Sequence, residues 1–366
     1  MKTIMTIIGT RPEAIKLAPI IAALRESKYF KNIVCISGQH TDLVDSLLVE
    51  LGITVDYQIE NHKNDGSLNK SASYMLEQFS IFLKEIKPDL VIVQGDTTTA
   101  FAGALAAFYL CIPVAHIEAG LRTGNLYSPW PEEAHRCLID KLTTYFFTPT
   151  EQARNSLVAE GARIEKIWVV GNTSIDAIRL IRETSKANNA PKQKIIVVTV
   201  HRRENHGNPL TTICHALLSI AKEFADIKII FCLHPNPAIH GRVTNMLSNI
   251  HNIDLVPPMS HNAFVKLLVE CIFIITDSGG IQEEASFMGK PILIVRDTTE
   301  RPEGIVADAA MLVGTASSDI ITSCRELLYS KKKLSSMSKV HFPYGDGYAA
   351  QRIVNILELE FCKELT

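Results

Sequence analysis

The chain has 366 residues, more than the roughly 250–300 over which one hydrophobic core usually grows, so two domains are expected. Hydrophobic residues make up 46% and charged residues 21%, the balance of an ordinary globular protein. With 37 Lys and Arg against 39 Asp and Glu, the formal charge is −2; no basic bias points to nucleic acid or a membrane surface, though a local basic pocket remains open.

In chain order, short apolar runs alternate with amphipathic segments. The N-terminus is apolar but short and leads into Thr10-Arg11-Pro12-Glu13, not a small-residue cleavage site, so it does not read as a secretory signal. The runs of the first half are Thr3–Ile8, Ile33–Ser37, Leu90–Gln94, Val114–Glu118, Tyr145–Thr148 and Ile167–Val170. Those of the second half are Ile195–Val200, Ile227–Leu233, Ile253–Val256, Ile272–Thr276 and Pro291–Val295. Continuous rather than alternating runs suit strands covered on both faces. Helical patterns such as Ser71–Leu83 and Leu210–Phe224 separate them, which implies βαβ units and parallel sheets with helices on both faces. The stretch Phe101 to Ile117 carries Gly103 and Pro113 and is too short for a membrane span, so it reads as a buried helix and a strand. Polar Ser185–Lys194 puts a hinge near 170–190. The expected domains are 1–170, joined by a C-terminal helix at about 350–366, and 171–349. The eight cysteines show no metal-ligand spacing and several lie in apolar runs, which suits reduced core thiols in the cytoplasm.

Open parallel sheets bind ligands at the carboxyl ends of their strands. After the first run, Gly9 permits a tight turn and Pro12 suits a first helical turn. Arg11 and Lys16 add charge to N–H groups that attract anions, but a plain βα turn with solvated charges fits this loop as well. Neither G-x-G-x-x-G nor a P-loop is present there. Asp96 follows the third run, where capping the next helix is the alternative to chemistry. Glu118 ends the fourth run, and Glu132 opens a helix after Tyr127-Ser128-Pro129-Trp130-Pro131. Asp96, Glu118 and Glu132 fall at one sheet edge, and clustered carboxylates raise one another's pKa, which suits proton transfer. In the second half His201 is an acid/base candidate or a structural histidine, while a turn role is expected for His234. Ser278, Gly279 and Gly280 open a helix as a diphosphate cradle. Glu284, one turn in, is placed to accept ribose hydroxyls, and Arg301 to reach a cleft.

At these residues the sequence resembles the non-hydrolysing bacterial UDP-N-acetylglucosamine 2-epimerases. The matching motifs are Gly-Thr-Arg-Pro-Glu-Ala-Ile-Lys (9–16), Gly-Asp-Thr-Thr-Thr (95–99), Glu-Ala-Gly-Leu-Arg-Thr-Gly (118–124) and Tyr-Ser-Pro-Trp-Pro-Glu-Glu (127–133). Further on come His-Arg-Arg-Glu-Asn (201–205), Asp-Ser-Gly-Gly-Ile-Gln-Glu-Glu-Ala (277–285), Arg-Asp-Thr-Thr-Glu-Arg-Pro-Glu (296–303) and Pro-Tyr-Gly-Asp-Gly (343–347). The resemblance implies a GT-B-like α/β fold of two Rossmann-like domains with the ligand in the interdomain cleft and domain closure around it. It implies interconversion of UDP-GlcNAc and UDP-ManNAc through 2-acetamidoglucal, by anti elimination and re-addition of UDP, supplying surface polysaccharide. It implies a homodimer, and neither a metal nor an NAD cofactor. Asp96, Glu118 and Glu132 match the family's acid/base carboxylates, and His201 its active-site histidine beside the diphosphate or the C1–O bond. Arg11, Lys16, Ser278, Gly279, Gly280, Glu284 and Arg301 match UDP-binding positions; Met259 and Phe264 match positions at the uracil.

The sequence departs from the family at several points. Met259 stands where relatives often have Gln or Leu, His135 replaces a usual Asn, and Ser286-Phe287-Met288 a usual Pro-Ser-Leu. Some members bind a second, activating UDP-GlcNAc near Gln39–Asp42 and residues 65–66. Its arginine is not evident in Asn64-Asp65-Gly66-Ser67, and Thr41-Asp42 also differs, whereas His234 and Arg202 fit that site. The hydrolysing branch differs in its first loop and phosphate loop. A GT-B glycosyltransferase or a non-catalytic UDP-sugar sensor would not need the carboxylates, and a nicotinamide enzyme would need the missing glycine fingerprint.

Overall fold

A computed structural model describes residues 1–38, 47–60, 67–184, 193–234, 236–299, 301–340 and 342–363. The chain divides into two units, Met1–Ala177 with Gly345–Thr366, and Ile178–Tyr344. The first break falls within the helix Thr173–Thr184.

The first unit holds a seven-stranded, all-parallel sheet in the order β3-β2-β1-β4-β5-β6-β7. Its strands are β1 (Lys2–Ile8), β2 (Phe30–Ile36), β3 (Tyr57–Gln58), β4 (Leu90–Gln94), β5 (Val114–Ile117), β6 (Tyr145–Thr148) and β7 (Ile167–Val169). The continuous apolar character of β1 now has its reason. Ile4 and Ile8 enter one core and Met5 and Ile7 the other, so each face of the strand meets its own layer of helix. In β4, Leu90 and Ile92 divide from Val91 and Val93 in the same way.

The second unit repeats the plan in six parallel strands, β10-β9-β8-β11-β12-β13. They are β8 (Lys194–Thr199), β9 (Ile227–Cys232), β10 (Ile253–Val256), β11 (Phe273–Thr276), β12 (Ile292–Ile294) and β13 (Ala310–Leu312). Both sheets therefore have the doubly wound Rossmann order, in which the strand order, not the strand direction, reverses between β1 and β4 and again between β8 and β11. Those two switch points are where such sheets bind ligands.

The final helix, Ala349–Lys363, belongs to the first unit. Its Ile353, Val354, Leu357 and Phe361 join the core beside the helix Arg11–Glu26. Asp176 accepts from the N–H groups of Ala349 (3.2 Å) and Ala350 (2.8 Å) and so closes the start of that helix. Two Rossmann-like units, with the last helix returned to the first, are the GT-B-like plan.

Two short strands were not expected, β3 and β13, because two or three residues with one apolar face leave little periodic signal. Burial pushes the thiols of Cys35, Cys232, Cys271 and Cys324 up to about 12 and that of Cys214 up to about 11, so they are inert. Cys111 and Cys362, by contrast, are exposed, and the expectation of core thiols does not extend to them. No described helix is long and apolar enough to cross a membrane.

Candidate active site

At the first switch point the loop Gly9–Lys16 follows β1, and Asp96 follows β4. Gly9 is glycine because of crowding rather than turn geometry. A Cβ there would lie 2.3 Å from Thr99 Oγ1 and 2.9 Å from Glu13 Oε2. Glu13 sits in the first turn of the helix Arg11–Glu26 and reaches back to the N–H groups of Thr10 (2.5 Å) and Gly9 (3.2 Å). It also accepts from Thr97 Oγ1 at 2.8 Å and thereby ties the β1 loop to the β4 loop. Burial raises its carboxyl to about 7 against the lowering effect of these donors.

Asp96 does not cap the next helix. Thr97 does, its hydroxyl accepting from Ala100 N at 3.0 Å, which leaves the Asp96 carboxylate to Arg136 at 2.5 Å. The carbonyl of Asp96 accepts from His135 Nδ1 at 2.9 Å, and the His135 ring stacks on Phe101. The imidazole thus serves as a donor to the Asp96 loop, something the amide of the family's usual Asn could also supply.

Glu118 is buried and has φ +69°, an unusual conformation for a residue with a Cβ. Its carboxylate is surrounded by donors: Lys16 Nζ at 2.6 Å, Asn172 Nδ2 at 3.1 Å and Gln94 Nε2. The strained backbone is pinned by the N–H groups of Glu118 and Ala119, which both donate to Phe147 O. Glu132 is the first residue of the helix Glu132–Leu142 and is half-buried.

The buried face of that helix is polar, and it organises the carboxylate loops. Glu133 accepts from the N–H groups of Thr123 (2.8 Å) and Gly124 (3.0 Å) and pairs with Arg136 at 2.9 Å. Asp140 lies 2.6 Å from His116 Nδ1 and accepts from Arg122 at 2.7 Å and from Gly120 N at 3.2 Å. The other His116 nitrogen, Nε2, donates to Gly95 O at 2.8 Å. Burial alone would raise the Asp140 carboxyl, but His116 and Arg122 hold it below the usual carboxylate range. Glu13, His116, Glu133, Arg136 and Asp140 were not singled out from sequence. The spacing 133, 136, 140 along one helix face was the available signal, but it reads as an ordinary amphipathic helix until the face proves to be buried.

At the second switch point His201 follows β8 and Asp277 follows β11. Asp277 is fully buried and accepts from Arg202 N (2.9 Å) and from His201 N (3.0 Å). The His201 ring stacks on His234, centroids 5.6 Å apart at 14°, so His234 does more than turn the chain. Burial lowers the His201 pKa, and Asp277 pulls it the other way.

Ser278 stands at the N-cap of the helix Gly279–Phe287 without making the side-chain cap bond. Gly279 is needed for close approach: a Cβ would meet Arg301 Cζ at 2.7 Å, whereas at Gly280 nothing lies within 4 Å. Arg301 is buried beneath this turn with Nε 2.7 Å from Glu283 Oε1. Tyr344 OH donates to Arg301 O at 3.2 Å and accepts from Gly304 N at 3.0 Å. Glu284 lies on the same helix, half-buried. Met259 precedes Ser260, which caps the helix His261–Glu270 that carries Phe264. Arg11 and Lys16 lie on the first helix of the first unit. Among the described residues no group of three His, Cys, Asp or Glu could hold a metal ion. Gln39–Asp42 and residues 65–66, the region where some family members bind a second nucleotide, lie outside the described residues.

The family model for UDP-N-acetylglucosamine 2-epimerase matches residues 22–358, which is most of the chain. The chain belongs to the UDP-N-acetylglucosamine 2-epimerase family. The UDP-N-acetylglucosamine 2-epimerase of Escherichia coli O157:H7 is 43% identical over 97% of this chain and 98% of its own. The crystal structure of the Neisseria meningitidis UDP-GlcNAc 2-epimerase bound to UDP-GlcNAc is 41% identical, with a TM-score of 0.93 over 97% of this chain and 99% of that one. The Methanocaldococcus jannaschii UDP-GlcNAc 2-epimerase, in complex with UDP-GlcNAc and UDP, is 35% identical, with a TM-score of 0.86 over 98% and 99% of the two chains. The motifs that carry the resemblance follow β1, β4 and β5 in the first unit and β8, β11 and β12 in the second, except 343–347, which precedes the final helix.

Proposed function

We propose that this chain interconverts UDP-GlcNAc and UDP-ManNAc without hydrolysing either. The observation that carries the reading is the carboxylate set at the first switch point. Asp96 and Glu118 are each held by a cation, Arg136 and Lys16, at the edge that also carries Glu132. A binding module has no use for such a set, and family membership supplies the substrate.

In the forward direction a carboxylate takes the C2 proton. The C2–H electrons form the C1=C2 bond of 2-acetamidoglucal, and UDP departs with the C1–O electrons on the opposite face. UDP then re-adds while a proton reaches C2 from the other side. The C2 proton is only weakly acidic, so stabilising the departing diphosphate lowers the barrier most. The Ser278–Gly280 turn, Arg11, Lys16 and His201 suit that task, and Glu284, Met259 and Phe264 suit the nucleoside. Arg301 supports the turn from below through Glu283. The reading extends to a cytoplasmic homodimer whose product feeds surface polysaccharide.

The test is incubation with UDP-GlcNAc followed by product analysis by NMR. The expected products are UDP-ManNAc in equilibrium with substrate and little free sugar. Free ManNAc and UDP as main products would place the chain with the hydrolysing enzymes, and an unchanged substrate would refute the reading.

A further inference from the structure

We propose that Asp277 is a positioning residue for His201, holding the ring with Nδ1 toward itself so that Nε2 is the nitrogen presented to a bound ligand. The inference rests on the reading above, in which His201 serves the departing UDP.

Asp277 is 0% exposed, at the end of β11 beside the end of β8. Its Oδ2 receives three donors: His201 N at 3.0 Å, Arg202 N at 2.9 Å and Asn205 Nδ2 at 2.8 Å. Its Oδ1 lies 3.2 Å from His201 N and 3.4 Å from His201 Nδ1. The carboxylate thus fixes the backbone that carries the histidine and faces one ring nitrogen. At 3.4 Å this is an ion-pair approach rather than a formed hydrogen bond; because a carboxylate can only accept, we place the proton of the neutral ring on Nδ1. His234 stacks against the ring, and the His201 side chain keeps 38% of its surface exposed. Proton gain or loss is then confined to Nε2, the logic by which a buried acid orients a working imidazole.

The groups around the ring give the carboxylate a second effect. Burial lowers the His201 pKa, His234 and Arg202 push the same way, and Asp277 alone opposes them. His206 in turn acts on His234. Without Asp277 the imidazolium would be harder to form when charge develops on the leaving diphosphate.

The experiment uses the full-length 15N-labelled protein and long-range correlation of the imidazole signals across pH. In the wild type, neutral His201 is expected to carry its proton on Nδ1. In Asp277→Asn its titration midpoint should move down. With UDP-GlcNAc, that variant should lose about 10–100-fold in kcat, the range for partners that orient metal-bound histidines, with KM within about twofold. The double variant with His201→Ala should be no slower than His201→Ala alone, since the two groups act as a unit. A wild-type His201 protonated on Nε2, an unmoved midpoint, or losses that multiply would each overturn the proposal. If Asp277→Asn does not fold, the wild-type tautomer decides. If the wild type leaves UDP-GlcNAc unchanged, the proposed function fails, and the tautomer and midpoint still judge Asp277.

Discussion

Gly279 and Gly280 are neighbours in sequence, and adding one methyl to each should give opposite results. At Gly279 the new Cβ would sit 2.7 Å from both Cζ and Nη1 of Arg301, against 3.4–4 Å for an ordinary contact. Something must therefore move by about 0.7 Å. The guanidinium cannot swing into open space, because Arg301 is buried and its Nε is held by Glu283 at 2.7 Å. Overpacking of this kind costs about 1–3 kcal/mol, and complete loss of a buried ion pair about 3–5 kcal/mol, so Gly279→Ala should destabilise the second unit by about 2–3 kcal/mol. At Gly280 nothing lies within 4 Å, and Ala is the better helix former by up to about 1 kcal/mol, so Gly280→Ala should hold or gain stability. Urea unfolding gives the stabilities, and calorimetric titration with UDP reads the cradle, where Gly279→Ala should bind at least about tenfold more weakly, the effect of about 1.4 kcal/mol. Equal stability of the two variants, or Gly279→Ala binding UDP like the wild type, would refute the packing argument.

Asp96→Asn should lose most turnover, at least about 100-fold for a lost proton-transfer group, while UDP titration shows affinity retained; near-normal turnover would remove Asp96 from the chemistry. Glu13→Gln tests the buried carboxyl raised from 4.5 to about 7. A folded-state pKa above the unfolded one means the native state binds more protons between those values. Wild-type stability is therefore unpenalised below pH 4.5, falls as pH rises to 7 and stays lower above, by about 3 kcal/mol in all. The variant lacks this titration, so unfolding at pH 4.5 and pH 8 should show its stability relative to wild type improving by about that much; a constant difference would contradict it. Gly9→Ala should disturb the β1 loop, because Thr99, 2.3 Å from the new Cβ, is itself fixed by Ser37 at 3.0 Å. Displacing this loop by about 1 Å should cost about 100-fold in kcat/KM, and wild-type kinetics would show that the loop adapts.

Much of the fold was legible because the central strands are covered on two faces, which writes the same continuous apolar run into β1, β4 and β8. The edge strands β3 and β13 were not, since so few residues carry no period. In the candidate site, position after a strand was enough to single out Asp96, Glu118, His201 and the Ser278–Gly280 turn, and each does follow a strand. It could not reveal their partners, because Lys16 and Glu118 are 102 residues apart and Arg136 and Asp96 meet across two elements. Nor could it separate Asp96 from Thr97 as the cap, a choice made by which side chain faces Ala100 N. For Arg301, position beside a phosphate loop could not show that the side chain is buried under Gly279 and paired with Glu283.

The central claim is that the C2–H bond breaks and re-forms. The most direct test is the reaction of UDP-GlcNAc in D₂O, followed by NMR at C2. The account predicts UDP-ManNAc carrying deuterium at C2, with the label entering the UDP-GlcNAc pool as the reaction reverses. UDP-ManNAc that retains hydrogen at C2 would contradict it.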